Sequence, residues 1–162
     1  MNKLAIVLIV ILVLIGGYFA YNMLNSAEEG QPEPTTQQVE VYFGHVEKTG
    51  DDCSKVFATE REIESTEGVG KAALQELLAG LTDEEKDEGY YTNINTGVEV
   101  NSLTIEDGAA EVDFSKELEE RVGGSCRVTA IKAQIKETLK QFSTVDEVEI
   151  SVEGETEAVL QP

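Results

Sequence analysis

Histidine occurs once in this chain of 162 residues, as His45, so neither a multi-histidine metal site nor a histidine dyad is available to it. No Gly-x-Ser-x-Gly elbow occurs, and Ser102, Ser115 and Ser125 stand in turn or cap positions with no candidate base nearby in sequence. Positive charge is scarce: 12 Lys and Arg stand against 32 Asp and Glu, a formal net charge of −20. Binding phosphate needs clustered Lys and Arg, which excludes nucleic acid and anionic lipid surfaces as partners. The acidic surface is solvated and self-repelling, and the partners it leaves open are basic proteins or cations. No internal repeat is visible.

What the sequence does have is one long uncharged run. Leu4 to Ile15 is an unbroken series of Leu, Ala, Ile and Val, and no charged residue appears between Lys3 and Glu28. As a helix, Leu4 to Leu24 spans roughly the ~30 Å hydrocarbon core of a bilayer, with Tyr18 and Tyr21 near one interface. Asn25-Ser26-Ala27 fits a signal-peptidase site poorly. A lipoprotein signal needs a Cys directly after the apolar run, and the first cysteine is Cys53. A pilin-type N-terminus needs a Glu inside the run, and none is present. The expectation is an uncleaved, unlipidated single-pass anchor in the cell membrane. Lys3 on the short side puts the N-terminus in the cytoplasm and the rest outside. Cys53 and Cys126 then lie in an oxidising compartment, which favours one disulfide over two free thiols.

Three segments follow: an anchor over residues 1–21, a flexible linker over 22–38 rich in Asn, Glu, Gln, Pro and Thr, and a domain over 39–162. In the domain, Val39, Val41 and Phe43 alternate as in a strand, and a second strand is expected around Lys55 to Arg61. Ser65 or Thr66 is expected to cap a helix carrying Val69, Ala73, Leu77 and Leu81, ending near Gly80. Thr82 to Gly89 reads as a polar loop. Asp107-Gly108 signals a hairpin that sets Ile105 opposite Ala110 and Leu103 opposite Val112. Val98 and Val100 have the opposite parity, which predicts a bulge near Asn101-Ser102. Gly123-Gly124-Ser125 is expected to cap a helix from Cys126 to Phe142 with Val128, Ile131, Ile135, Leu139 and Phe142 inward. Val148, Ile150 and Val152 mark a last strand. The order predicts an α+β fold, a single β-β-α-β-β-α-β sandwich with two helices on one face of a mixed or antiparallel sheet, behind one transmembrane helix.

Few residues suggest chemistry. Ser65 to Ala72 contains the Gly-Lys pair of a phosphate-binding loop, yet Ser65 stands where a Gly is needed and Ala72 where a magnesium-binding hydroxyl is needed. It reads as a helix start. Asp83, Glu84, Glu85, Asp87 and Glu88 invite a calcium reading, but an EF-hand loop from Asp83 needs Gly at the position of Glu88 and Glu at that of Ile94. A solvated loop is the better account. His45 has the parity of Val41 and Phe43 and is expected at the core edge. A hydrolase pair can be composed from Cys126 and His45, since a helix N-terminus lowers a thiol pKa, but pairing of Cys126 with Cys53 is the simpler use. No catalytic, metal or cofactor-binding residue is nominated, and no cofactor is implied.

Thr138-Leu139-Lys140-Gln141-Phe142, followed by Val145, Val148, Ile150, Val152 and Gly154, resembles the end of a GerMN domain. Arg61, Leu77-Leu78-Ala79-Gly80, the step from Gly89 to Thr92, and Val112-Asp113-Phe114-Ser115 match in order and spacing. The resemblance covers most of Val39 to Gly154. It implies an extracytoplasmic, membrane-tethered α+β domain without catalytic residues. It departs at Leu81, where a Pro often stands, in its single rather than double domain, and in lacking the lipoprotein Cys. Together these expectations describe a non-enzymatic interaction or scaffold module of the cell envelope, with other envelope proteins or itself as partner. The alternatives are a thiol-dependent enzyme or redox protein using Cys126, and a module binding cell-wall glycan or cations.

Overall fold

The computed structural model describes residues 11–21, 35–157 and 159–161 and divides into two units, Met1–Thr35 and Thr36–Pro162. In the first unit, residues 11–21 are helical and exposed. Among the described residues no helix is long and apolar enough to cross a membrane. The expected anchor begins before that stretch, and its residues 1–10, like residues 22–34 of the expected linker, lie outside the described residues.

The second unit runs β1 (Thr36–His45), β2 (Phe57–Glu64), α1 (Val69–Ala79), α2 (Asp83–Asp87), β3 (Tyr90–Tyr91), β4 (Val100–Glu106), β5 (Ala109–Phe114), a 3-10 turn (Lys116–Leu118), α3 (Ser125–Lys140) and β6 (Glu147–Val152). It is a mixed α+β fold. Strand β1 starts three residues before the expected domain boundary, because Thr36, Gln37 and Gln38 pair with Glu64, Ile63 and Glu62. Their polar side chains gave no strand signal; the partner strand supplies one.

The single sheet of the sequence reading is corrected to two three-stranded sheets, ordered β2-β1-β3 and β4-β5-β6. The physical reason lies at the edge of β1 that faces away from β2. Gln141 Oε1 accepts from Glu40 N at 2.7 Å while Gln141 Nε2 donates to Glu40 O at 2.6 Å. Thr138 Oγ1 accepts from Tyr42 N at 3.2 Å. Side chains of α3 therefore stand where another strand would pair, and β3 takes over at Gly44 and His45. With its edge so occupied, β1 does not join the hairpin.

The β4–β5 hairpin has the expected register, Ile105 opposite Ala110 and Leu103 opposite Val112. Asp107 and Gly108 take φ of 48° and 87°, as a two-residue primed turn demands. The register shifts between Val100 and Ser102, leaving Asn101 as the extra residue of a bulge. Strand β6 pairs with β5 in parallel, and α3 is the crossover such a pair requires.

Helix α1 packs against β1, β2, β4 and α3, and α3 against β1 and β6, so the helices bind the two sheets together. Phe43, Leu74, Leu77, Phe114, Leu118, Ile131, Ile135 and Leu139 form the shared core. Helix α1 is not capped by Ser65 or Thr66 as expected, whereas α3 starts within the expected Gly123-Gly124-Ser125. Gly68 precedes α1, and Gly124 precedes α3 with φ 87° and its carbonyl accepting from Val128 N. Ser125 is already helical. Thr82 to Gly89 is not a loop: Thr82 and Glu85 close a capping box around the short helix α2.

Candidate functional site

The residues singled out from sequence do not converge. Cys53 and Cys126 are joined in a disulfide with Cα atoms 5.3 Å apart, which leaves Cys126 no free thiol and ties the β1–β2 connection to the start of α3. His45 is buried, its Nδ1 accepting from Glu47 N at 3.1 Å and its ring lying edge-on to Phe57 and Tyr90. Ser115 Oγ accepts from Glu99 N beside the bulge. Among the described residues no three His, Cys, Asp or Glu side chains are grouped so as to hold a metal ion. In the acidic run, Asp83 pairs with Lys86 on the surface, while Glu85 turns inward.

That inward turn builds a buried ion-paired cluster. Arg61, from β2, reaches Glu85 with both terminal nitrogens; the Nη2–Oε2 bond is 2.6 Å. Arg61 Nη2 also donates to Gly80 O, and its guanidinium lies 6.0 Å from the Phe43 ring centroid. Glu85 Oε2 accepts from Thr82 N at 2.8 Å. Burial pushes the Glu85 carboxyl upward, but hydrogen bonds from Arg61, Thr59 and the Thr82 amide outweigh it and hold the group at about 2. The same bonds to Glu85, set against burial, raise Arg61. The cluster fastens β2 to the loop after α1 and to α2.

A second polar knot sits under the bulge. Asp113 Oδ1 accepts from Ser151 Oγ and Gly154 N, both at 2.7 Å, and Oδ2 from Asn101 Nδ2 at 2.9 Å. One carboxylate thus holds all three strands of the second sheet. Burial raises Asp113, and the three donors more than offset it, so it lies below the usual carboxylate range. A third knot is Gln134, fully buried on α3, whose Oε1 accepts from Thr92 Oγ1 at 3.1 Å.

Concave surface lies along β2. One groove of about 560 Å³ runs between its C-terminal half and α1, lined among others by Glu62, Glu64, Lys71 and Glu76. A second, of about 590 Å³, continues from Glu62 past Glu60 to Glu84 and Glu88 of the α2 region. Both are open and acidic. β2 is also a terminal strand of its sheet.

The family model for sporulation and spore germination proteins, Germane, matches residues 40–158. The chain belongs to the Germane family. Its domain is similar to the first GerMN domain of the sporulation protein GerM from Bacillus subtilis, at 27% identity and TM-score 0.59, covering 74% of this chain and 85% of that one. It is also similar to the tandem GerMN domains of the same protein, at 26% identity and TM-score 0.59, covering 75% of this chain. It spans 41% of that tandem structure. No curated protein sequence matches significantly.

The GerMN domain here explains its own sequence motifs. Arg61 grips Glu85 and Gly80; Asp113 knots the second sheet; Thr138 and Gln141 cover β1; Thr92 bonds Gln134. Glu85 was missed as a partner because it stands among five acidic residues between Asp83 and Glu88, and only the Thr82-x-x-Glu85 spacing distinguished it.

Proposed function

We propose that this GerMN-family protein is a non-catalytic interaction module of the cell envelope, carried on the outer side of the cytoplasmic membrane by its apolar N-terminus. The observation that carries the reading is where the motif side chains go. Arg61, Asp113, Thr138 and Gln141 all end on backbone or partner side chains of the same domain, and the groove that Arg61 borders is lined by no Cys, Ser or His. Cys126, which a thiol enzyme would use, is bonded to Cys53. The concave surface instead follows a strand edge, a shape suited to protein contact. The uncharged Leu4 to Leu24 run and Lys3 support the membrane placement.

Photo-crosslinking from positions on the exported domain in living cells tests this, with fractionation of the membrane. The reading expects a defined envelope protein, captured from the membrane fraction. Recovery of the chain in the soluble cytoplasm would defeat the placement. Turnover of an envelope substrate by the full chain, abolished by Cys126→Ser, would defeat the non-catalytic reading.

A further inference from the structure

We propose that the open edge of β2 is a strand-addition site for an extended, basic segment of another protein, with Lys or Arg at alternate positions. This rests on the interaction-module reading and names the chemistry of its partner.

The backbone direction along β2 follows from the contacts of β1. In an antiparallel pair, opposed residues alternate between exchanging hydrogen bonds with each other and pointing them away. Glu40 spends both its N–H and its C=O on Gln141, on the side away from β2, and Tyr42 spends its N–H on Thr138 there. Glu40 opposes Glu60 and Tyr42 opposes Ala58, so these are the pairs that point away. By the two-residue period, Glu62 and Glu64 behave the same. Ala58, Glu60, Glu62 and Glu64 therefore turn their N–H and C=O groups to the outer edge of β2. Among the described residues the hydrogen bond recorded to these outward groups is the weak one from Arg61 Nη1 to Glu60 O, at 3.3 Å.

An eight-residue strand left open this way is a template for pairing, and natural edges are blunted by Pro, Lys, bulges or brevity. β2 has no Pro and no Lys and pairs without a bulge, and the one charge it turns inward, Arg61, is neutralised by Glu85. What guards it is carboxylate. Glu60, Glu62 and Glu64 share one exposed face of the strand, and Glu40 adds a fourth directly opposite Glu60. Like charges opposed across a sheet are destabilising, so a second copy of β2 is repelled. Residues 22–34 of the same chain carry Glu28, Glu29 and Glu33 with no Lys or Arg, and Pro32 and Pro34 besides, so they match the edge no better. A basic strand is the one that fits.

The register is specific. A residue of an antiparallel incoming strand directly opposite Glu60, Glu62 or Glu64 would exchange both backbone bonds with it and place its side chain on the same face. Those positions call for Lys or Arg. The residues between them face the groove beside α1, where Ile63 and Ala72 line the floor, and call for small or β-branched side chains.

The test uses the full chain and a short peptide alternating Lys with Val or Thr. Binding is followed by calorimetry, and amide exchange is read at Glu60, Glu62 and Glu64. Binding should slow exchange at those three amides. Methylating the backbone nitrogens of the Lys residues should abolish it, while methylating those of the intervening residues should leave it. Glu60→Lys with Glu62→Lys, both on exposed positions, should weaken binding about tenfold, because each reversal removes an attraction and adds a repulsion, each of a few tenths of a kcal/mol. Equal binding of a peptide of the same composition with its Lys residues clustered would overturn the proposal, as would tolerance of Lys N-methylation or no binding at all. Self-association of the chain through β2 that survives the double substitution would also overturn it. If crosslinking in cells still captures an envelope protein when the peptide fails, the strand-addition site falls and the interaction module stands.

Discussion

Arg61 and Glu85 show how much one residue's environment decides. Their side chains keep 13% and 8% of their exposure, so removing either partner strands a charge away from water. Arg61→Ala should therefore lower stability by about 3 to 5 kcal/mol in urea denaturation, and Arg61→Met combined with Glu85→Leu should recover much of that loss. Acid gives a second handle. Glu85 is held at about 2 from an ordinary 4.5, so the folded state binds its proton less readily than the unfolded one. The resulting stabilisation, on the order of 3 kcal/mol, is full above pH 5 and is lost as pH falls from about 4.5 toward 2. Urea midpoints across that range should fall with pH in the native chain, and the slope should shrink in Arg61→Ala, where the carboxylate has lost its counter-charge.

At the scale of the element, the β1 edge is finished by a helix rather than a strand. A glutamine side chain has the donor and acceptor of a peptide group, so Gln141 imitates one rung of a ladder. Gln141→Ala should cost about 1 kcal/mol and leave the Glu40 N–H without its partner. Hydrogen exchange at Glu40 should accelerate well beyond what the stability loss explains, while the amides of β5 and β6 should not. Exchange at Glu40 unchanged from the native chain would show that the rung is not formed in solution. Gly44 belongs to this region too: a Cβ there would come within 2.4 Å of the Tyr91 ring, so that ring lies over β1 in this position only because Gly44 has no side chain.

For the whole domain, the disulfide is a covalent tether. Cys53 and Cys126 are 73 residues apart, and closing a loop of that length removes unfolded-chain freedom worth on the order of 4 kcal/mol. Cys53→Ser with Cys126→Ser should lower the thermal midpoint sharply while preserving far-UV circular dichroism. Loss of the secondary-structure signal at low temperature would mean that the link is needed for folding itself. The excess of carboxylates acts in the opposite direction, since a net charge of −20 on a chain of this size repels itself when compact.

Periodicity and turn chemistry were legible in the residues alone. Alternation in Val39, Val41 and Phe43, the helical spacing of Val128, Ile131, Ile135 and Leu139, and the Asp107-Gly108 turn with its bulge at Asn101 are local patterns, and local geometry follows from local sequence. Family membership was legible too, because the motif residues keep their order. The split into two sheets was not, since it depends on which group reaches the edge of β1, and Gln141 lies 101 residues away from Glu40. Nor was the candidate site. Glu60, Glu62 and Glu64 read as three more charges in an acidic chain until pairing with β1 showed which backbone groups beside them face outward. Sequence determines which faces are apolar; only the tertiary structure decides which edges remain open, because an edge is defined by what fails to pair with it.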